Sequence, residues 1–183
     1  HVMGLMRLYW IPGGGSARDG AYVHYALHEM LAIVALESQR NRCMVIGEDL
    51  GTVDGSVRDA LARQDVLSYR LLYFERSADG GFMPPEHYPA AALAAVSTHD
   101  LPTLAGWWSS HDLQQRLRLG LYPHEALFEQ QLAARSQERI RLLLELRHAG
   151  LLTAEAIADA ANSTQLPSTV LQAVHAHLPS APS

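Results

Sequence analysis

The chain is expected to be an α/β protein with its sheet in the first part and helices alone in the last. Two stretches carry this expectation, Val45-Ile46-Gly47-Glu48-Asp49-Leu50-Gly51 and Val96-Ser97-Thr98-His99-Asp100. Each is a strand-forming apolar run that ends in acid, as buried parallel strands read when both faces are covered. The third observation is order. Strand, helix, strand, loop and strand follow one another as far as Trp108, and only helical patterns come after it. At 183 residues, 48% of them hydrophobic, the chain is long enough to bury a substantial core.

Residues 5–11 are apolar and aromatic, interrupted by Arg7 and stopped by Pro12; they read as a short helix or an irregular strand running into a loop. Gly13-Gly14-Gly15-Ser16 and Arg18-Asp19-Gly20 read as loop, because no Lys and Ser/Thr follow at phosphate-loop spacing. Residues 24–40 show helical spacing, with Leu27, Leu31, Val34 and Ala35 on one face. Residues 43–46 read as the first strand, 54–63 as a helix capped by Asp54 or Ser56, and 68–74 as a second strand. Residues 78–89 form a Gly/Pro-rich loop, and 91–96 lead into a third strand that delivers Thr98-His99-Asp100. Helices are predicted over 113–119, 125–148, 154–161 and 167–177, with a frayed tail at 179–183. The expected division is therefore a sheet-containing part, 1–108, and a helical part, 109–183.

Composition excludes several classes. Net charge is −5 and no Lys occurs, so no basic surface advertises nucleic acid. No apolar run is long enough to span a bilayer, and the start lacks the pattern of a signal peptide. Cys43 is the single cysteine, which rules out an intrachain disulfide, fits a cytoplasmic setting, and reads as a small buried hydrophobe.

Glu48 and Asp100 stand 52 residues apart at the ends of two expected strands. Barrel and open-sheet enzymes place their chemistry at the carboxyl ends of strands. Paired carboxylates suit glycoside chemistry, in which one is a nucleophile or stabiliser and the other protonates the leaving oxygen. The alternative is capping or ion-pair duty.

The residues from Val45 to Val53 resemble the acid/base segment of the 4-α-glucanotransferases, the amylomaltase family. Ser97-Thr98-His99-Asp100-Leu101-Pro102-Thr103-Leu104-Ala105-Gly106-Trp107 resembles that family's later catalytic segment, and His1 to Pro12 resembles the stretch after its nucleophile. Asp19-Gly20-Ala21-Tyr22-Val23-His24-Tyr25, Leu36-Glu37-Ser38 and Leu119-Gly120-Leu121-Tyr122-Pro123 resemble the bacterial maltodextrin-utilisation branch. The resemblance implies the later strands of a (β/α)₈ TIM barrel followed by a mainly helical segment that is an insertion or extension of the same catalytic domain. It implies transfer of α-1,4-glucan segments between maltodextrins by a retaining double displacement, with no cofactor and no metal. It implies that Glu48 is the general acid/base and Asp100 the transition-state stabiliser. His99 would hydrogen-bond the donor sugar, and Phe74 would line the acceptor side. The two carboxylates are expected to converge on one sugar.

In that family the nucleophilic aspartate stands in an Arg-Ile-Asp-His pattern, and this sequence begins at the His. The resemblance thus implies an internal fragment without the nucleophile and without the last barrel strand. Such a part-barrel would have open edges, and a homo-oligomer through them is expected. A non-catalytic glucan-binding or interaction module is the alternative.

Other residues have plainer readings. His24 and His28 share a predicted helix four residues apart but lack a third metal ligand. His175 and His177 point to different faces, and surface is their default. Asp49 faces away from Glu48 and suits an ion pair. Tyr9 and Trp10 anchor a core or stack on sugar, and Trp107 suits packing as well as substrate stacking, packing being preferred. The arginines of 135–147 read as a solvated helix face.

Overall fold

The computed structural model describes residues 1–178. The chain forms two compact units, one made of His1–Arg70 with Pro89–Leu93, the other of Leu71–Tyr88 with residues 94–178.

The first unit opens with a short 3-10 helix, Val2–Leu5, and an antiparallel pair, β1 (Arg7–Trp10) and β2 (Ala21–His24), with Arg7 opposite His24 and Trp10 opposite Ala21. The predicted helix at 24–40 therefore loses its first residues to a strand. Gly20 must be glycine here, since a Cβ would lie 2.6 Å from the Tyr9 ring and 2.8 Å from the Trp10 carbonyl oxygen. Helix α1 (Leu27–Asn41) and helix α2 (Gly55–Ala62) follow. Asp54 caps α2, accepting from the Ser56 amide at 2.8 Å. Val57, Ala60 and Leu61 recur at helical spacing and bury with Val2, Leu31, Val53 and Val66 as this unit's core.

The parallel strands are shorter than the sequence suggests. Residues 43–46 contribute only a parallel bridge between Ile46 and Leu67, with Leu67 N donating to the Val45 carbonyl and Gly47 N to that of Leu67. Strand β3 (Ser68–Leu71) pairs with β4 (Ala92–Ala95). Ser68 N bonds Ala91 O, and Leu72 N bonds Ala95 O. Both strands advance by four residues between these bonds, so they run parallel. β3 stops at Leu71 because Phe74 N and Glu75 N both fold back onto the Leu71 carbonyl, so Phe74 sits on a turn rather than a strand. β4 likewise ends before Thr98.

The second unit is mostly helical: α3 (Leu104–Trp108), α4 (His111–Arg118), α5 (Glu125–His148), α6 (Ala154–Asn162) and α7 (Ser168–His177). The predicted α5 agrees with the structure at both ends, because His124 accepts from the Leu127 amide at its start and Gly150 follows its end with φ 73°. The five-residue α3 was not foreseen; Thr103 caps it through the Gly106 amide at 3.1 Å. Leu142, Leu143 and Leu146 of α5 bury against Trp108, Ala160, Val170 and Val174. No helix among the described residues is long and apolar enough to cross a membrane. The architecture is mixed helix and strand with small sheets. The expected tail at 179–183 lies outside the described residues.

Several expectations are corrected by packing. Cys43 is exposed, since the segment before Val45 lies outside the ladder. Tyr9 and Trp10 are exposed at 44% and 58%, which removes the core-anchor reading. Conversely, His177 is 1% exposed, because α7 presents that face to its own unit's core. Arg135 is not solvated: its side chain, 12% exposed, grips Asp112.

Candidate active site

In the first unit, the bridge at Ile46 ends at Gly47, where a Cβ would come 2.9 Å from the Val2 side chain and 3.2 Å from that of Val66. That close approach draws the 3-10 helix at the amino end against the acid-bearing segment. Val2 N donates to the Glu48 carbonyl at 3.1 Å. Glu48 Oε1 accepts from the Leu50 amide at 2.8 Å, and Oε2 lies 3.2 Å from His1 Nδ1. The side chain keeps 37% exposure and lines a cavity of about 190 Å³ whose other walls are largely apolar, among them Val2, Leu5, Leu31 and Val34. One oxygen is thus fixed by the backbone and the other meets the His1 ring, while the side chain borders an accessible hollow. That arrangement suits a carboxyl group that exchanges a proton with a bound oxygen.

Asp49 does turn to the opposite side, as its place next to Glu48 predicts. It is 2% exposed and accepts from Ser68 Oγ at 2.6 Å, from the Tyr69 amide at 2.9 Å and from Arg58 Nε at 3.4 Å. Burial alone would raise the pKa of its carboxyl group. The Ser68 and Tyr69 hydrogen bonds, with Arg70 and Arg58 nearby, outweigh burial and hold it below the ordinary carboxylate value.

In the second unit, Asp100 and His99 occupy a turn closed by Leu101 N on the Thr98 carbonyl (3.2 Å) and by Asp100 N on Thr98 Oγ1 (3.3 Å). His99 Nε2 stands 3.3 Å from Asp100 Oδ1, and both side chains are open to solvent at 91% and 80%. Asp100 lines a cleft of about 470 Å³ with Thr103, His111, Asp112, Gln115 and Arg116. An exposed carboxylate is an acceptor-only group that can take hydrogen bonds from two neighbouring hydroxyls. Phe74 is 51% exposed on its turn. Glu48 belongs to one unit; His99, Asp100 and Phe74 belong to the other.

Sequence reasoning missed the side chains beneath the Asp100 turn. Tyr73 stacks on Trp107 with ring centroids 5.5 Å apart, and Arg135 lies over Trp107 at 5.2 Å while holding Asp112 through two 2.8 Å bonds. Asp112 and Arg135 are 23 residues apart with no local pattern to pair them. Trp107, read from sequence as packing, does pack, at 6% exposure. His24 lies on β2 and His28 on α1, so the two do not share a helix. Among the described residues no group of three His, Cys, Asp or Glu is placed to hold a metal ion.

A family model described as 4-alpha-glucanotransferase, glycoside hydrolase family 77, matches residues 1–178. The 4-alpha-glucanotransferase of Haemophilus influenzae is 49% identical over 127 residues, 69% of this chain. That of Mycobacterium tuberculosis is 40% identical over 156 residues, 83% of this chain. The chain spans 18% and 21% of the lengths of these two relatives. The crystal structure of amylomaltase from Corynebacterium glutamicum superposes with a TM-score of 0.87 at 32% identity, covering 100% of this chain and 26% of that one. An amylomaltase from Streptococcus agalactiae in complex with acarbose shares the fold, with a TM-score of 0.55 at 20% identity over 97% of this chain and 29% of its own. The family match runs through both acid-bearing segments and nearly the whole length, and so this chain belongs to the 4-alpha-glucanotransferase family.

Proposed function

We propose that this chain carries the acid/base and stabilising part of a 4-α-glucanotransferase that moves α-1,4-glucan segments between maltodextrins. The observation that carries the reading is the family match over residues 1–178, which contains both Glu48 and the His99–Asp100 pair. In this reading the two units contribute strands and helices to a (β/α)₈ barrel. Glu48 protonates the leaving glycosidic oxygen and then, as carboxylate, takes the proton of the incoming sugar hydroxyl. Its Oε1, held by the Leu50 amide, and its partly exposed side chain support that exchange. Asp100 grips sugar hydroxyls as positive charge develops at the anomeric carbon, His99 hydrogen-bonds the donor sugar, and Phe74 offers an exposed ring to the acceptor.

The test is disproportionation of maltotriose, read as glucose release, by the full gene product that contains these residues. Glu48→Gln is expected to lower kcat about 10³-fold or more. An unchanged rate in that variant overturns the role of Glu48.

A further inference from the structure

Tyr73 and Phe74 are neighbours on the turn after β3, and they behave oppositely. Phe74 is exposed, whereas Tyr73 packs against the core of its unit. The Tyr73 ring stacks on Trp107 with an interplanar angle of 23°, and its hydroxyl donates to the Pro102 carbonyl at 3.3 Å. Pro102 follows the turn that holds Asp100. The bonds inside that turn, from Leu101 N and Asp100 N to Thr98, shape it without tying it to the core. The His99 and Asp100 side chains contact each other and are otherwise open to solvent. Orientation must therefore come from the two ends of the turn. One end is β4, held by Leu72 N on Ala95 O. The other is Pro102, which has no amide hydrogen and offers only its carbonyl as a main-chain polar group. Tyr73 takes that carbonyl.

The support under Tyr73 is itself rigid. Arg135 Nη1 donates to the Trp107 carbonyl at 2.6 Å, and the guanidinium forks onto Asp112, a planar two-bond arrangement with a single favourable orientation. We propose that Tyr73 is a positioning residue for Asp100, fixing the Asp100 turn in its working orientation through the hydroxyl bond to Pro102 and the stack on Trp107. The inference rests on the role given to Asp100 above. Burial pushes the Tyr73 phenol well above its ordinary pKa, so it remains a hydrogen-bond donor at any working pH.

A double-mutant cycle in the full gene product tests it: wild type, Tyr73→Phe, Asp100→Asn and the double variant. The readouts are kcat and KM for maltotriose and the Kd for acarbose. Tyr73→Phe keeps the stack and deletes one hydroxyl. It is expected to lower kcat about tenfold while KM stays within about twofold, because a displaced carboxylate loses interactions made in the transition state. With Asn at position 100 the same change is expected to cost less than about twofold in kcat and in acarbose affinity. A merely structural role would lower activity by the same factor in both backgrounds, and that result overturns the proposal, as does an unchanged kcat in Tyr73→Phe. If Asp100→Asn alone has wild-type kcat and acarbose affinity, the role of Asp100 falls, and the inference about Tyr73 falls with it.

Discussion

Ser68 donates its hydroxyl hydrogen to Asp49 Oδ2 at 2.6 Å, joining the first residue of β3 to the residue beside Glu48. Arg58 of α2 completes the junction, reaching the Asp49 carbonyl at 3.1 Å and the Val53 carbonyl at 3.3 Å. The segment that presents Glu48 is thus fixed by a buried carboxylate pointing the other way.

Replacing Asp49 by Asn should cost about 2–4 kcal/mol at neutral pH, because Arg58 and Arg70 lose the charge they surround. The folded pKa of Asp49 lies below its ordinary value of 3.8, so its contribution is complete well above that value. It fades as pH falls below 3.8 and through the lower folded value. Urea unfolding should show a wide gap between wild type and variant at pH 7 that narrows by pH 3. A constant gap would contradict the charge-based account.

Arg135 acts as a fork, not a point charge. Arg135→Lys loses the paired bonds to Asp112 and the planar contact over Trp107, for a cost of about 1–2 kcal/mol. Thermal unfolding would register this as a drop in Tm. An unchanged Tm would mean that Asp112 and Trp107 are held by other contacts.

Trp108 is 0% exposed, and its indole donates to the Ser163 carbonyl at 3.2 Å. Arg139 reaches the same carbonyl at 2.5 Å and lies over the Trp108 ring at 4.3 Å. Trp108→Phe should therefore lose ring volume and one bond without orphaning Ser163, for about 1–3 kcal/mol in denaturant unfolding. A cost above about 5 kcal/mol would show that Arg139 does not keep that carbonyl satisfied.

His177 is buried with Glu145 4.0 Å from its Nε2, and burial holds its pKa below the ordinary 6.5, with Glu86 opposing. The unfolded chain takes up this proton first, so stability falls as pH drops below about 6.5 towards the folded value. Glu145 works the other way: burial and Glu86 raise its pKa while His148 lowers it, so near pH 4.5 and above its folded form gains a proton and stability. The difference between wild type and His177→Leu isolates the histidine. The leucine variant should gain relative Tm between pH 7 and pH 5, and parallel curves would remove the assignment.

Much was legible in the chain itself, because it was encoded locally. Asp54 caps α2 with the residues that follow it, and the 24-residue span of α5, Glu125–His148, was readable from the sequence at both ends. The two acid-bearing segments are likewise continuous strings, so family membership and the candidates Glu48, His99, Asp100 and Phe74 could be read from order alone. Tertiary structure decided what distant residues impose on one another. It ended β3 at Leu71, paired 21–24 with β1, buried His177, and exposed Trp10. It also brought Tyr73 to Pro102 and Arg135 to Asp112. The physical reason is range: caps and periodicity act within a turn or two of the backbone, whereas burial, stacking and charge pairing depend on partners that only the folded chain brings together.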